Sequence, residues 1–600
     1  MNYTAPIRDM RFVLEDIVGI DHLKDLGFED LSGDLIEAVL REGGKLASEV
    51  IAPLNRSGDL EGAVLENGAV RTPKGFAAAW AAYAEGGWGS IDGDPDYGGQ
   101  GLPHTLAMAG VEMVQSANLA FSVCPLLSAG AIDAIGQHGT PEQKALYLEK
   151  LTTGAWTGTM NLTEPQAGSD VGALRTKAEP QADGTYRLSG TKIFISYGDH
   201  DMAENIIHLV LARLPDAPPG TKGTSLFIVP KFLVNEDGTL GARNDVSVAG
   251  LEHKLGIHAS PTCVLSFGEN DGAVGFLLGA ENKGIACMFT MMNAARLGVG
   301  LQGVAISERA YQQALVYAQE RRQGKPWGRQ PAPTESVPII EHPDVRRTLL
   351  TMKATIEAMR ALCYANAMAI DVARASGDAD ERAKAKAREE LLTPLSKGFC
   401  SEACIEMTSL GLQVHGGMGY VEETGAAQHF RDARITTIYE GTTAIQAMDL
   451  VTRKLSLAEG GAVTDFINEM RQSADALSTE ENEDLQAIAK NMIGAIYVLT
   501  EVSDWLAERR GKQPQDALAG STPFLKLFGL TAGGHYLALG SRAAARRLET
   551  DSRESDFYTA RISLARFYAN HILPLVHGLK QPCMAGAQSL YAVKPEHLAL

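Results

Sequence analysis

The sequence predicts an α+β protein in which a domain of β-strands is held between helical domains. Apolar residues recur at three- and four-residue spacing up to about residue 155, which is typical of amphipathic helices. From about 156 to 275, short runs rich in Ile, Val, Phe and Thr alternate with turn signals, which indicates strands. Helical patterns return at about residue 282. We therefore expect four domains, with the boundaries 1–155, 156–275, 276–455 and 456–600.

The composition excludes several classes of protein. A chain of 600 residues with 45% hydrophobic and 21% charged residues is neither disordered nor a disulfide scaffold, and it is too long for one core. Its 73 acidic and 54 basic residues give a formal net charge of −19, which argues against general nucleic-acid binding. The seven cysteines are odd in number and form no CxxC pair. They indicate buried thiols in a reducing cytoplasm and no metal site.

The sequence supports neither a signal peptide nor a membrane-spanning helix. The start, MNYTAPIRDMRFVLEDIVG, has no basic segment followed by an apolar one, so it does not resemble a signal peptide. The most apolar long window, 286–306, contains Asn293, Arg296 and Gln302. Because these residues are costly in lipid, we expect a buried helix and a cytoplasmic protein without an integral membrane segment.

The individual elements follow from local patterns. In the N-terminal domain, helices are predicted at 31–51, 72–84 and 104–113, with a Gly- and Asp-rich loop at 86–103. In the middle domain, strands are predicted at 185–196, 206–214 and 223–234, forming an antiparallel barrel or sandwich. Further helices are predicted at 285–322, 342–375, 380–410, 484–510, 523–548 and 557–579, with a Pro-rich loop at 324–338.

Two segments of the middle domain could bind a ligand. In MNLTEPQAGSDVGALRT (160–176), Thr163, Ser169 and backbone N–H groups could donate to the oxygens of an anionic or carbonyl-rich group. An ordinary loop capped by Ser169 or Asp170 is the alternative. In TKIFIS (191–196), alternation places Phe194 and Ser196 on one strand face, where they could stack on a ring and hydrogen-bond to it. A core Phe beside a satisfied Ser is equally consistent with this pattern.

Two segments of the C-terminal half are also candidates. In QVHGGMGY (413–420), the glycines allow the backbone to approach a ligand closely, although no strand–turn–helix unit surrounds them. His415 alone is expected to be a packed histidine. In RDARITTIYEGTTAIQ (431–446), Glu440 follows an apolar approach and precedes Gly441. A carboxylate in such a place suits a base, but a loop residue or a helix cap fits the same spacing.

Taken in order, these segments resemble the acyl-CoA dehydrogenase family over residues 35 to 455. Among the longer bacterial members with an added C-terminal helical domain, the chain is similar to the 3-methylmercaptopropionyl-CoA dehydrogenase group in its first residues and in IIEHPDVRR (339–347). The carrying motifs are TEPQAGSD (163–170), KIFIS (192–196), ARLGVG (295–300), QVHGGMGY (413–420) and RDARITTIYEGTT (431–443).

The resemblance implies a fold and a reaction. The expected fold is acyl-CoA dehydrogenase-like: an N-terminal helical domain, a middle antiparallel β-barrel, a C-terminal four-helix-type bundle and an additional helical domain. FAD is expected between the β domain and the bundle. An acyl-CoA thioester would be oxidised to the trans-2-enoyl-CoA, with Glu440 removing the α proton and flavin N5 taking the β hydride. The implied partners are an electron-transfer flavoprotein and a second copy of the chain, as a homodimer.

The resemblance also assigns further site residues by matching position. The FAD-binding positions are Thr163, Phe194, Ser196, Arg321, Gln413, Gly417 and Thr442. The acyl-CoA-lining positions are Ser169, Asn293, Arg296 and Tyr439. Ala444 departs from the family, since many members have Gln there. Ala295 occupies the position at which some members place the base, which agrees with a base at Glu440.

Two rival functions stay open at this stage. An acyl-CoA oxidase would share the fold but pass electrons to oxygen, and no motif reports the difference. A non-catalytic relative that binds nucleic acid would need a basic C-terminal domain, yet Arg509 and Arg546 are matched by acids such as Glu480 and Asp484. A membrane-surface anchor in residues 456–600 has only the weak support of RAAARR (542–547).

Overall fold

A computed structural model describes residues 3–328, 334–550 and 552–599. The chain divides into two compact units, and each is described by itself. The first unit is essentially Arg41–Gly298, and the second combines Pro6–Leu40 with Val299–Leu600.

The N-terminal region is helical, with one small hairpin that the sequence patterns did not predict. The hairpin joins β1 (Val64–Glu66) to β2 (Ala69–Arg71). It forms because Asn67 and Gly68 both adopt positive φ, 50° and 75°, as a two-residue hairpin turn requires. The helices are α1 (Ile7–Phe12), α2 (Gly33–Lys45), α3 (Leu54–Glu61), α4 (Phe76–Glu85), α5 (His104–Ala117), α6 (Leu119–His138) and α7 (Pro141–Thr152).

The middle region is built on one eight-stranded sheet. Its order is β10-β11-β5-β12-β7-β6-β3, with β4 pairing β5, and β8 pairs separately with β9. All pairs are antiparallel except β3 with β6, which differs from the prediction because a long connection separates these two strands. The strands are β3 (Trp156–Asn161), β4 (Lys177–Pro180), β5 (Tyr186–Ser196), β6 (Asn205–Ala212), β7 (Ser225–Pro230), β8 (Phe232–Val234), β9 (Leu240–Arg243), β10 (Val246–Leu251), β11 (Thr262–Phe267) and β12 (Ala273–Leu278).

Most of the described residues after β12 are in helices. The helix predicted at 380–410 is interrupted by a π-helical turn, Leu395–Phe399, after Pro394, and the helix predicted at 557–579 is divided at Pro574. Proline explains both interruptions, because it has no N–H for the helical hydrogen bond. The helices are α8 (Gly284–Glu320), α9 (Pro343–Ala375), α10 (Ala379–Pro394), α11 (Cys400–His415), α12 (Ala426–Ala433), α13 (Thr443–Thr452), α14 (Gly461–Ser478), α15 (Glu483–Lys512), α16 (Pro514–Ala519), α17 (Ser521–Thr550), α18 (Ser555–His571) and α19 (Leu575–Met584).

The predicted loop 324–338 is irregular where it is described, and its residues 329–333 lie outside the described part of the chain. The helices α6 and α8 are long and apolar enough to cross a membrane by composition alone. Their most apolar windows are 67% and 61% buried inside the protein. Core helices meet the same criterion, so this observation agrees with the expectation of a buried helix at 286–306.

A buried charge cluster ties the ends of the chain to the bundle within the second unit. It joins α1, α8, α9 and α18, and its acidic and basic members are equal in number. Burial opposes the charge on Glu357, but Lys353, Arg360 and Arg561 keep its pKa below the ordinary value. The additional C-terminal helices are therefore part of one packed unit with the bundle. The members are Asp9, Glu308, Lys353, Glu357, Arg360 and Arg561.

Candidate functional site

The end of β5 presents an aromatic ring to solvent. The side chain of Phe194 is 59% exposed, and its φ of 60° lies in the left-handed region that non-glycine residues rarely adopt. Pairing with β11 shifts register between Cys263 and Leu265, so the strict alternation predicted for 191–196 breaks at Phe194. Ser196 is half-buried, whereas Ile195 between them is buried. A strained, exposed aromatic residue on a sheet is a feature of binding sites.

The loop after β3 runs along this part of β5. The carbonyl of Thr163 accepts a hydrogen bond of 2.9 Å from the Ile193 N–H. The side chain of Thr163 is half-buried. Ser169 is exposed further along the loop, and Asp170, not Ser169, caps the following turn by accepting from the Gly172 N–H.

A buried ion pair fixes the loop to the strand. The Nζ of Lys192 lies 2.8 Å from a carboxylate oxygen of Glu164, and it also donates to the Leu162 carbonyl. Burial raises the pKa of Glu164, but the charge of Lys192 and hydrogen bonds from Lys192, Thr176 and the Arg175 N–H lower it to about 2. Burial lowers the pKa of Lys192 to about 8. The pair thus holds Thr163 beside the end of β5.

These residues fit a flat ring that carries hydrogen-bonding edges. Within the described chain, the hydroxyls of Thr163 and Ser196 have no hydrogen-bond partner. Both are half-buried, and Phe194 next to them offers an open ring face. A ring system such as a flavin could satisfy the two hydroxyls and stack near the Phe.

The predicted residues of α8 lie one helical turn apart. Arg296 is only 5% exposed, and its guanidinium approaches the Oδ1 of Asn293 at 3.5 Å. The guanidinium also lies 5.9 Å from the centre of the Phe289 ring. Arg296 therefore places positive charge beside a half-buried amide in the first unit.

In the second unit, Glu440 lies in a short left-handed turn just before α13. The φ angles of Glu440 and Gly441 are 56° and 85°. Thr442 caps α13, because its hydroxyl accepts from the Ile445 N–H at 3.3 Å. Glu440 and Tyr439 are both half-buried. The residue that caps α13 is therefore Thr442, and Glu440 is not a helix cap.

Buried side chains from three helices hold this turn. The Nζ of Lys397 donates to the Gly441 carbonyl at 2.5 Å, and the Nε2 of Gln446 donates to the Glu440 carbonyl at 3.2 Å. The hydroxyl of Tyr439 donates to the Oε1 of Gln302 on α8. Burial, reinforced by the nearby Glu440 carboxylate, raises the pKa of Tyr439 far above its usual value. The hydroxyl of Tyr439 is therefore protonated and committed to Gln302.

The three remaining predicted residues are exposed on the second unit. Arg321 follows α8, Gln413 lies in the last turn of α11, and Gly417 lies in the turn after it. His415 between the last two is buried, donates from its Nδ1 to the Gly411 carbonyl (2.7 Å), and packs on Tyr317 with ring centres 4.6 Å apart. This contact brings the C-terminal ends of α8 and α11 together, and it identifies His415 as a packed residue.

Sequence patterns missed the residues that support the candidate site. Lys192, Lys397 and Gln446 are each 0% exposed. A lysine inside an apolar or strand-like run was the signal that could have revealed Lys192 and Lys397, because a buried lysine needs a buried hydrogen-bond partner. The partner could not be named, since Lys397 and Gly441 are 44 residues apart in sequence.

Four family models match the chain from residue 42 to residue 594. Acyl-CoA dehydrogenase, N-terminal domain, matches residues 42–155; the middle domain of the same family matches 159–269, and its C-terminal domain matches 282–455. A fourth model, Acetyl-CoA dehydrogenase C-terminal like, matches 466–594.

Several curated relatives match over nearly their whole length. The 3-methylmercaptopropionyl-CoA dehydrogenase of Ruegeria pomeroyi is 47% identical over 574 residues, which is 96% of each chain. A butyryl-CoA dehydrogenase of Syntrophomonas wolfei is 36% identical over 591 residues, again 96% of each chain.

Two solved structures are similar in fold. Caenorhabditis elegans ACDH-11 in complex with C11-CoA has a TM-score of 0.79 at 20% identity, covering 99% of this chain and 96% of that one. An acyl-CoA dehydrogenase from Bacillus anthracis complexed with FAD has a TM-score of 0.72 at 22% identity, covering 92% and 89%. At these identities the likeness establishes the fold.

Proposed function

The chain belongs to the acyl-CoA dehydrogenase family, and we propose that it oxidises 3-methylmercaptopropionyl-CoA or a related acyl-CoA to the trans-2-enoyl-CoA with Glu440 as the base. As a member of this family it is an FAD-dependent oxidoreductase. The identity of 47% over 96% of a named 3-methylmercaptopropionyl-CoA dehydrogenase supports the first substrate. The butyryl-CoA relative supports testing simple short chains as well.

The proposal rests on one observation: neighbouring side chains fix the turn that contains Glu440 through hydrogen bonds. In the reaction, the Glu440 carboxylate takes the proton from C2 of the thioester, and C2 and C3 become double-bonded as C3 loses a hydride. FAD, when bound, supplies the hydride-accepting centre. A base works only when its carboxylate meets the C–H bond at hydrogen-bond distance, so a fixed turn lowers the barrier through orientation. Lys397, Gln446 and the Tyr439–Gln302 pair provide that fixation.

The first unit is proposed to hold the flavin ring at the end of β5. Thr163 and Ser196 offer hydroxyls, and Phe194 offers an exposed ring face. Arg296, Asn293 and Ser169 are proposed to contact the acyl-CoA, with Arg296 offsetting part of the negative charge of CoA. Thr442 is proposed to contact FAD from the start of α13.

The partners are proposed on the family resemblance. Electrons would pass to an electron-transfer flavoprotein, and the protein would act as a homodimer in the cytoplasm. Arg321, Gln413 and Gly417 would reach the FAD of the second copy, which agrees with their exposure in a single chain. All seven cysteines are free and buried, which agrees with a reducing compartment.

An anaerobic titration of the purified protein with acyl-CoAs tests this proposal. The panel contains 3-methylmercaptopropionyl-CoA, butyryl-CoA and palmitoyl-CoA, and the visible flavin absorbance is recorded. We expect rapid bleaching by the first compound, with one enoyl-CoA formed per flavin reduced. A yellow protein that no member bleaches contradicts the proposed reaction. Reoxidation by air as fast as by electron-transfer flavoprotein would identify an oxidase instead.

A further inference from the structure

The turn that carries Glu440 has a conformation that its own residues do not favour. Glu440 and Gly441 are consecutive left-handed residues, and a glutamate in this region is disfavoured by its Cβ. Such a conformation persists only where surrounding groups over-determine it. The groups that touch the turn therefore decide where the Glu440 carboxylate points.

One of these groups is a buried cation. Lys397 is 0% exposed, and its Nζ lies 2.5 Å from the Gly441 carbonyl oxygen. An ammonium–carbonyl hydrogen bond of this length is charge-assisted and stronger than a neutral one. This bond restrains the carbonyl group of Gly441, and the Nε2 of Gln446 donates to the carbonyl group of Glu440 itself.

The backbone beneath Lys397 is itself fixed. Lys397 lies in the π-helical turn Leu395–Phe399, which follows Pro394. A Cβ added to Gly300 of α8 would lie 2.6 Å from the Ser396 carbonyl oxygen, and one added to Gly303 would lie 2.5 Å from that of Cys400. The two helices thus meet backbone to backbone on either side of Lys397. π-Helical turns of this kind are frequent at functional sites.

We propose that Lys397 is a positioning residue: its ammonium group holds the Glu440–Gly441 turn in the left-handed conformation that aims the Glu440 carboxylate at the substrate. This inference rests on the proposed role of Glu440 as the base. In this role Lys397 acts on the base through the backbone, because its Nζ donates to the Gly441 carbonyl. Its removal should therefore slow α-proton abstraction without weakening the binding of FAD or acyl-CoA.

The test compares Lys397→Met with two other variants of the FAD-loaded enzyme. Gly441→Ala disturbs the same turn independently, since its Cβ would lie 2.8 Å from the Gln446 Nε2 at a φ of 85°. Lys454→Met is the control for loss of a lysine in the same unit, because the Lys454 side chain is 15% exposed and pairs with Glu390 at 3.1 Å, away from the Glu440 turn. The rate of flavin bleaching, the acyl-CoA dissociation constant and amide hydrogen exchange of peptides covering 438–446 are measured for each.

We expect Lys397→Met and Gly441→Ala to slow bleaching on the order of 100-fold with an unchanged dissociation constant. Both should also speed amide exchange at 438–446, and Lys454→Met should change neither quantity. Wild-type exchange and wild-type bleaching in Lys397→Met overturn the inference. Slow bleaching with wild-type exchange overturns it too, because the turn would then not depend on Lys397.

Failure of the proposed function gives a different result. If Glu440→Gln bleaches as fast as the wild type, Glu440 is not the base, whatever Lys397→Met does. If Glu440→Gln is inactive while Lys397→Met is fully active, the base stands and the positioning role falls. The exchange measurement needs no substrate, so it decides whether Lys397 holds the turn even if every acyl-CoA in the panel is inactive.

Discussion

Two segments that contain candidate residues, one in each compact unit, carry left-handed residues, but they are held in different ways. At the end of β5, Phe194 and Tyr197 are fixed by backbone pairing with β11 and by the Tyr197 hydroxyl, which donates to the Ala120 carbonyl at 2.8 Å. Before α13, Glu440 and Gly441 are fixed by single side chains that reach their carbonyl oxygens. The difference indicates that point substitutions will affect the turn more sharply than the strand end.

The largest expected effect is at the turn. Glu440→Gln removes the proposed base and keeps the shape of the side chain, so we expect turnover to fall by about 10²- to 10⁴-fold. FAD content should stay at the wild-type level, because the proposed flavin-binding residues of β5 are untouched. Steady-state turnover with 3-methylmercaptopropionyl-CoA and the ratio of flavin to protein absorbance measure the two quantities.

Wild-type turnover in Glu440→Gln would contradict this prediction, because the turn would then not supply the base. Glu423→Gln serves as a control, because Glu423 is an exposed carboxylate of the same unit. It should leave both quantities unchanged.

The next effect concerns the strand end. Lys192→Met leaves the Glu164 carboxylate buried without its cation, and loss of one partner of a buried pair costs about 3–5 kcal/mol. We expect a lower unfolding midpoint and a purified protein with reduced FAD content. Lys177→Met is the control, because Lys177 is exposed on the neighbouring strand β4. Normal midpoint and FAD content in Lys192→Met would show that the pair is dispensable.

The sequence located the segments that form β5, β6 and β7–β8 and most of the long helices of the second half, but it did not locate the other strands or α6. It singled out Glu440 by the motif around it. It did not reveal the Asn67-Gly68 hairpin, although those two residues are a strong local turn signal. The π-helical turn at Leu395–Phe399 and the partner of Lys397 depend on tertiary packing. Such contacts join residues that are distant in sequence, so a single chain without its fold does not report them.

Two buried histidines make the stability of the sheet that contains β5 depend on pH. Burial lowers the pKa of His200 to about 4 and that of His208 to about 3, and each ring bonds a buried threonine hydroxyl. Unfolded histidines take up protons near pH 6.5, so the folded state loses stability as the pH falls from 6.5 to about 4. The expected loss is about 1.4 kcal/mol per pH unit for each histidine.

Urea unfolding between pH 7 and pH 4.5 measures this slope. His200→Gln should reduce it by the contribution of one histidine, whereas His253→Gln, which changes an exposed ring, should not. An identical slope in wild type and His200→Gln would mean that His200 is protonated in the folded state.

The smallest expected effect is at Phe194. Loss of a stacked ring in Phe194→Ala should weaken FAD binding by about two- to tenfold, equivalent to about 0.5–1.5 kcal/mol. Phe194→Gly should lose the same affinity but give an apoprotein more stable than the Ala variant by about 1 kcal/mol, because glycine tolerates a φ of 60°. Flavin fluorescence quenching and apoprotein unfolding separate the two contributions. Equal stabilities of the Phe194→Ala and Phe194→Gly apoproteins would show that the backbone at residue 194 is not strained.

The central claim, that Glu440 removes the α proton, is tested most directly by hydrogen exchange into a substrate analogue. An acyl-CoA with sulfur at position 3 has α hydrogens but no β hydrogen, so proton removal is separated from oxidation. The wild type in D2O should introduce deuterium at C2 of this thioester, detected by mass spectrometry, and Glu440→Gln should not exceed the enzyme-free rate. Exchange by Glu440→Gln at the wild-type rate would contradict the account.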